Sequence, residues 1–237
     1  MSFSQPPNPD SQPASAIVLT DVTKLFGRFA ALRGVTAEFA PGRLYLVLGD
    51  NGAGKSTLLR AIAGLLTPAR GSVRVLGSSR LRSVAAAIGY MAHAPLLYDE
   101  MDAMENLRYF ARLYGIPGDE RCADVIRAVG LDPALPRRVG QYSQGMRQRL
   151  SLARAILNDP AILLLDEPFS NVDIVSAREM VRLLGKMRDA GKTVFVVTHQ
   201  PALLDGVADE SVMMNAGQIV TREPARTRRE LQPREAL

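Results

Sequence analysis

The feature that most constrains the fold is a glycine-rich loop between a short apolar run and a stretch with helical periodicity. Residues 44–48 read LYLVL, and the next nine residues read GDNGAGKST. This is the pattern G-x-x-x-x-G-K-S, with a strand before it and a helix after it. The chain must therefore contain a strand–loop–helix unit, which is the building block of an α/β fold with a parallel sheet.

The residue types of this loop suit the binding of phosphate. Glycines let the backbone bend so that successive N–H groups face an anion, and the helix start adds its positive dipole end. We expect Lys55 to reach the β- and γ-phosphates and Ser56 to give its hydroxyl oxygen to Mg²⁺. By itself this loop does not identify the class of protein, because kinases, GTPases and many motor proteins contain such a loop. The predicted nucleotide-binding residues are Gly49, Asp50, Asn51, Gly52, Ala53, Gly54, Lys55, Ser56 and Thr57.

A second apolar run, at residues 161–165, ends in two carboxylates, Asp166 and Glu167. Acidic residues at the carboxyl end of a parallel strand lie where α/β folds place ligands. We predict that Asp166 holds Mg²⁺ through water and that Glu167 polarises the attacking water as a general base. The alternative is a strand that simply ends in a polar turn.

A third apolar run, at residues 193–197, ends in Thr198 and His199. His199 is expected at the same sheet edge, where it would bond the γ-phosphate and hold Glu167 and the water in place. An incidental histidine at a strand end is the alternative.

In these motifs the chain resembles the ABC ATPase family over nearly its whole predicted globular length. The three segments above match that family's Walker A, Walker B and switch-histidine elements in order and spacing. The run YSQGM at 142–146 is similar to the family's signature motif, and SNVD at 170–173 is similar to its D-loop, which ends at Asp173. Kinases and GTPases lack this combination. The resemblance implies hydrolysis of ATP to ADP and phosphate, with Mg²⁺ as cofactor.

The signature implies a second ABC ATPase subunit, expected to be another copy of this chain. In the family, Ser143 and the backbone at Gly145 would contact the γ-phosphate bound by the opposite subunit. The sequence departs from the usual L-S-G-G-Q because Gln144 replaces the first glycine and Met146 replaces the glutamine. The alternative is an ordinary capped amphipathic helix, which would explain Ser143 but not the residues that follow it.

Two further positions follow from the resemblance. Phe26 lies where the family keeps an aromatic ring that stacks on adenine, although a plain core phenylalanine would also fit. His93 replaces the glutamine expected in the coupling loop within 88–95. Because Mg²⁺ prefers oxygen ligands, we expect this imidazole to orient a water or to bridge to a partner rather than to bind the metal directly.

These motifs do not determine which substrate is transported, because they are similar to those of several kinds of ABC ATPase. His93, the neighbouring 97–98 and 104–107 segments and the run THQP at 198–201 are similar to the haem-export ATPase of cytochrome c maturation. The signature equally resembles ATPases of ABC-2-type exporters of drugs, polysaccharide or ions. An alternative of another class is a soluble ABC ATPase such as an iron–sulfur assembly factor.

Composition and charge limit the kinds of partner that we expect for this chain. The net charge is +5, but the basic residues of 222–237 are mixed with acidic ones and the chain has no tryptophan, so we do not expect nucleic-acid binding. No stretch approaches the roughly 18 apolar residues of a membrane span. The single cysteine, Cys122, excludes an internal disulfide and a cysteine-based metal cage. We expect a peripheral protein on the cytoplasmic face of the cell membrane, with a separate integral-membrane permease as partner.

The predicted fold is that of a P-loop NTPase with a RecA-like parallel-sheet core, a small antiparallel β layer and an inserted helical subdomain. We predict a disordered tail over 1–15, an ATPase domain over 16–221 with the helical subdomain at about 94–157, and a charged tail over 222–237. The predicted strands and helices are strands at 17–20, 32–39, 44–48, 72–76, 161–165 and 193–197, helices at 55–65 and 174–189, and a mostly helical stretch at 97–157.

Overall fold

The computed structural model describes residues 15–225. Nine strands and five α-helices lie within this range. The strands are β1 (Ile17–Phe26), β2 (Phe29–Phe39), β3 (Leu44–Leu48), β4 (Arg70–Val75), β5 (Ile88–Met91), β6 (Ile162–Asp166), β7 (Thr193–Val197), β8 (Glu210–Asn215) and β9 (Gln218–Pro224). The helices are α1 (Lys55–Ile62), α2 (Ala103–Leu113), α3 (Glu120–Ala128), α4 (Gln144–Ile156) and α5 (Ile174–Asp189).

The strands form two sheets. The large sheet has the order β5-β6-β7-β3-β8-β9, in which every neighbouring pair is parallel except β8 with β9. The small sheet has the antiparallel order β2-β1-β4. The predicted fold class, a parallel-sheet core with a small antiparallel layer and an inserted helical part, is confirmed.

The central strands are apolar on both faces because each face packs into a separate core. Along β3, Leu44 and Leu46 point into one core, whereas Tyr45 and Val47 point into the other. Strands buried on both faces give continuous apolar runs instead of alternation, as is typical of parallel sheets covered by helices. This is why the three apolar runs of the sequence can be located without an amphipathic period.

The two cores hold different layers against the large sheet. The first core packs the helical part, α2 to α4, together with α5. The second packs α1 and the small sheet, and its aromatic centre joins Phe39, Tyr45 and Phe195, whose ring centroids lie 4.8–5.0 Å apart. The glycine-rich loop therefore runs from a strand fixed between two cores into a helix fixed by one of them.

Side-chain caps define the starts of two of the three helices in the helical part, α2 and α4. At α2 the carboxylate of Asp102 accepts a bond from Glu105 N at 2.8 Å, and Asp102 N donates to the Glu105 carboxylate at 2.9 Å. At α4 the hydroxyl of Ser143 accepts a bond from Met146 N at 3.2 Å. Such caps satisfy N–H groups that the first helical turn leaves unpaired.

Three strands were not predicted from the sequence. Strand β5 has only four residues, one of them Gly89, and the edge hairpin of β8 and β9 is largely half-buried or exposed. Neither has the apolar run that marked the central strands. The tails predicted at 1–15 and 222–237 lie outside the described residues except at 15 and 222–225, and β9 carries the sheet three residues past the predicted boundary at 221.

Candidate active site

The carboxyl ends of β3, β6 and β7 meet at one edge of the large sheet. Val197 is the register partner of both Val47 on β3 and Asp166 on β6. The glycine-rich loop, the paired carboxylates and His199 therefore converge on one cleft of about 510 Å³. The residues that line it are Phe26, Phe29, Ala31, Asn51, Gly52, Ala53, Gly54, Lys55, Ser56, Thr57, His93, Asp166, Glu167, Ser170, Val197 and His199.

Two glycines of the loop are required by backbone shape and by close approach. Gly49 has φ 140° and Gly54 has φ 101°, both in the region that favours glycine. A Cβ atom on Gly49 would lie 2.2 Å from the carbonyl oxygen of Met214, and one on Gly54 would lie 2.5 Å from that of Ala31. The loop is thus packed directly against the neighbouring hairpins.

Lys55 is buried at the start of α1, with its ammonium turned back over the loop. Its Nζ donates to the carbonyl oxygens of Gly49 at 2.6 Å and Asp50 at 2.9 Å. Within residues 15–225 no carboxylate lies within 4.0 Å of this nitrogen. A cation without a carboxylate partner at a helix N-terminus is suited to bind a phosphate.

Ser56 and Asp166 form the polar floor of the cleft. Ser56 Oγ donates to Asp166 Oδ1 at 3.0 Å, and Asp166 is only 2% exposed. Its other oxygen, Oδ2, is buried without a hydrogen-bond partner among the described residues. A buried carboxylate oxygen left unpaired is costly, and an all-oxygen donor pair is what Mg²⁺ prefers. The residues present therefore fit the predicted magnesium ion.

Glu167 is held between the ends of β6 and β7. Its N–H donates to Val197 O at 2.9 Å, its Oε2 accepts from the main-chain nitrogen of His199 at 3.2 Å, and its Oε1 lies 3.5 Å from His199 Nε2. Burial raises the pKa of Glu167, while the N–H and the imidazole of His199 oppose that rise. A carboxylate with a raised pKa accepts a proton more readily near neutral pH.

Phe26 and Phe29 face each other across the tip of the β1–β2 hairpin, beside the cleft. They are 49% and 56% exposed, and Lys24 Nζ lies 5.4 Å from the centre of the Phe26 ring. Phe26 is therefore not a core residue. Sequence reasoning missed Phe29, although its position across a two-residue turn from Phe26 was the available signal.

His93 follows β5 and is exposed at the cleft wall, on the same side of the sheet edge as the predicted metal-binding pair. His93 thus lines the cleft, and its role in the coupling loop stays a prediction. Ser170, the first residue of the segment similar to the D-loop, also lines the cleft.

The signature residues lie outside the cleft of their own chain. Ser143 and Gln144 are exposed at the start of α4, and a Cβ atom on Gly145 would lie 3.2 Å from Asn171 O. Asp173 caps α5 by accepting a bond from Ser176 N at 3.0 Å, and this bond lowers the pKa of Asp173. Gly145 of the signature thus lies against Asn171 of the D-loop segment, and neither residue is among those that line the cleft.

The described part of the chain contains no helix that is long and apolar enough to span a bilayer.

A strand–loop–helix phosphate site with a carboxylate pair at the same sheet edge defines a P-loop nucleoside triphosphatase. A family model described as ABC transporter matches residues 32–170, more than half of the chain. The chain belongs to the ABC transporter family, as an ATP-binding subunit that hydrolyses ATP.

The similar proteins agree with this placement. The chain is 36% identical over 217 residues to the ABC transporter ATP-binding protein NatA of Bacillus subtilis (strain 168), which covers 87% of this chain and 88% of NatA. It is 31% identical to the bacitracin transport ATP-binding protein BcrA of Bacillus licheniformis, over 89% of this chain and 70% of BcrA. Its fold matches the dimeric post-hydrolysis structure of the ATP-binding cassette MJ0796 bound to ADP and Pi, with a TM-score of 0.81, 26% identity, and coverage of 89% and 99% of the two chains.

Proposed function

We propose that this chain is the motor subunit of an exporter, working as a pair of identical copies on the cytoplasmic face of the cell membrane beneath an integral-membrane permease. The observation that carries the proposal is the arrangement of one cleft. A cationic glycine loop at Lys55 faces the Ser56–Asp166 pair and the Glu167–His199 pair, while Ser143 lies on another surface. The cleft of one copy is thus lined by the predicted catalytic residues Lys55, Glu167 and His199 but not by the signature serine.

Nucleotide binding follows from the groups that line the cleft. The exposed rings of Phe26 and Phe29 offer faces for adenine, and the loop amides receive the phosphates. Lys55 exchanges its two carbonyl acceptors for phosphate oxygens, which is favourable because a charged acceptor makes a stronger bond. Ser56 and Asp166 would hold Mg²⁺, which would supply positive charge against the β- and γ-phosphates.

Hydrolysis depends on the orientation of Glu167. Its Oε2 is fixed by the N–H of His199, and its other oxygen, Oε1, has no hydrogen-bond partner among the described residues and would accept a proton from a water that attacks the γ-phosphorus. The water oxygen forms the new P–O bond, and the bond to the β-phosphate oxygen breaks, so that ADP and phosphate leave. His199 keeps the carboxylate in place during this transfer.

Pairing of two copies supplies the missing serine. Ser143 and the backbone at Gly145 open a helix towards solvent, where the N-terminal dipole favours an anion. We propose that they meet the γ-phosphate held by the other copy and that loss of this phosphate loosens the pair. The dimeric state of the MJ0796 cassette supports this arrangement.

The names of the similar proteins, an ABC transporter ATP-binding protein and a bacitracin transport ATP-binding protein, favour a transporter subunit over a soluble assembly factor. Among transporters, we propose an ABC-2-type exporter of drugs, polysaccharide or ions. A second candidate, haem export in cytochrome c-type biogenesis, rests on one specific observation, the imidazole of His93 in the cleft wall. A deletion strain separates the two, because normal levels of c-type cytochromes would eliminate the haem candidate.

Membrane fractionation and turnover test the proposal together. Tagged protein solubilised from membranes should bring down a small apolar permease, and recovery only from the soluble fraction would count against a transporter. Purified protein should hydrolyse ATP, and Glu167→Gln should bind ATP but lose turnover by on the order of 100-fold or more. The matched control is Glu120→Gln, an exposed carboxylate on α3, which should keep normal turnover.

A further inference from the structure

Gln148 connects the signature helix to the candidate general base of the same chain. It lies on α4, is only 5% exposed, and its Nε2 donates to the main-chain carbonyl oxygen of Glu167 at 3.0 Å. Of all side chains in residues 15–225, it is the one that bonds this carbonyl.

The backbone of Glu167 needs support in order to keep its shape. Its φ of 56° is in the left-handed region, which is unfavourable for a residue with a side chain. Pro168 follows directly and further restricts the preceding residue. Strained backbone of this kind persists only where the surrounding structure holds it.

The peptide unit between Glu167 and Pro168 can be anchored only through its oxygen, because proline has no N–H. That oxygen accepts a bond from Ser170 N at 3.3 Å, within the same turn, and the bond from Gln148. Only the second of these bonds ties the turn to another element. It therefore sets how the strained turn sits relative to α4.

We propose that Gln148 is a positioning residue for hydrolysis: it holds the strained main chain of Glu167 so that the carboxylate meets the attacking water. Ser143, the N-cap residue of α4 and the group proposed to meet the other copy's nucleotide, lies five residues before Gln148. Engagement of Ser143 is passed through this short helix segment to the general base of its own copy. The inference rests on the proposed role of Glu167.

The test compares two methionine variants at adjacent positions of α4. Gln148→Met keeps the side-chain length but removes the donor to Glu167. Arg149→Met, the matched control, removes a bond of the same kind from Arg149 Nη1 to Gly130 O at 2.9 Å, away from the cleft. For Gln148→Met we expect kcat to fall by about 10-fold or more, with KM for ATP within about 2-fold, because a displaced catalytic group lowers rate without weakening binding. Arg149→Met should keep both values within about 2-fold.

Two further variants extend this test, a double variant with Glu167→Gln and a shorter amide at position 148. Adding Gln148→Met to Glu167→Gln should cause no further loss, because the two residues act as one unit. If Gln148→Met does not fold, Gln148→Asn, which withdraws the amide by one methylene, should give the same split between kcat and KM.

The outcomes separate the inference from the proposed function. Unchanged kcat in the Gln148 variant, or a rise in KM that matches the loss, would overturn the inference while Glu167→Gln remains inactive. Normal turnover by Glu167→Gln would overturn the proposed function and the inference with it.

Discussion

The main-chain nitrogen of His199 lies 3.2 Å from Oε2 of Glu167 and joins the ends of β7 and β6 across the candidate active site. The imidazole adds a second contact, since its Nε2 lies 3.5 Å from Oε1 of the same carboxylate. Backbone and side chain of His199 thus act on different oxygens, so their contributions can be separated by mutation.

His199→Ala removes only the side-chain contact. The N–H that holds Oε2 is retained, so ATP affinity should stay within about 2-fold, while kcat should fall by about 10- to 100-fold as the carboxylate and water lose a partner. Steady-state turnover and equilibrium nucleotide binding measure the two effects. The control is Gln200→Ala, the exposed neighbour, and an unchanged kcat for His199→Ala would contradict the assigned role.

The close approach at Gly49 predicts a difference between two glycines of the same loop. Gly49→Ala places a Cβ atom 2.2 Å from Met214 O, whereas Gly52→Ala meets nothing within 4 Å, although both glycines have positive φ. We expect Gly49→Ala to lower the free energy of unfolding by about 1–3 kcal/mol more than Gly52→Ala does. Urea unfolding measures this, and equal losses would contradict the packing described here.

The buried side chain of Asn106 lies remote from the cleft, and we expect its replacement to lower the stability of the fold. Its side chain is fully buried and accepts from Tyr98 N at 2.8 Å while donating to the carbonyl oxygens of Tyr98 and Asp102 at 2.9 Å. Asn106→Leu keeps the number and branching of the side-chain heavy atoms but leaves these groups unpaired, which should cost about 2–4 kcal/mol in unfolding free energy. Gln141→Ala, an exposed amide, should change it by less than about 0.5 kcal/mol. A similar small change for Asn106→Leu would refute the assignment.

Cys122 predicts a pH dependence of stability. Burial raises the pKa of its thiol, so the folded protein keeps this proton at a pH where the unfolded chain releases it. Since the unfolded state then binds fewer protons, the contribution is fully present below about pH 8.5 and is lost as pH rises towards the folded pKa. The free energy of unfolding of the wild type should fall towards that of Cys122→Ala between about pH 8 and pH 10. Parallel curves over this range would be inconsistent with the raised pKa.

The sequence was sufficient to predict the site residues that follow uninterrupted apolar runs. Three groups each follow the end of a central strand: the loop around Lys55, the pair at Asp166 and the histidine at 199. Their convergence therefore follows from a parallel sheet alone. Gln148 was beyond reach, because its bond to Glu167 depends on how α4 packs against a turn 19 residues away. Phe29 and the strands β5, β8 and β9 lie at edges, where short or half-exposed segments give no clear period.

The most direct test of the account measures the molar mass of Glu167→Gln in the presence of ATP and Mg²⁺ by light scattering. If two copies clamp ATP between the loop of one and Ser143 of the other, the mass should be that of two chains with ATP and of one chain with ADP. Adding Ser143→Arg should return the ATP sample to one chain. A single-chain mass for Glu167→Gln with bound ATP would contradict the account.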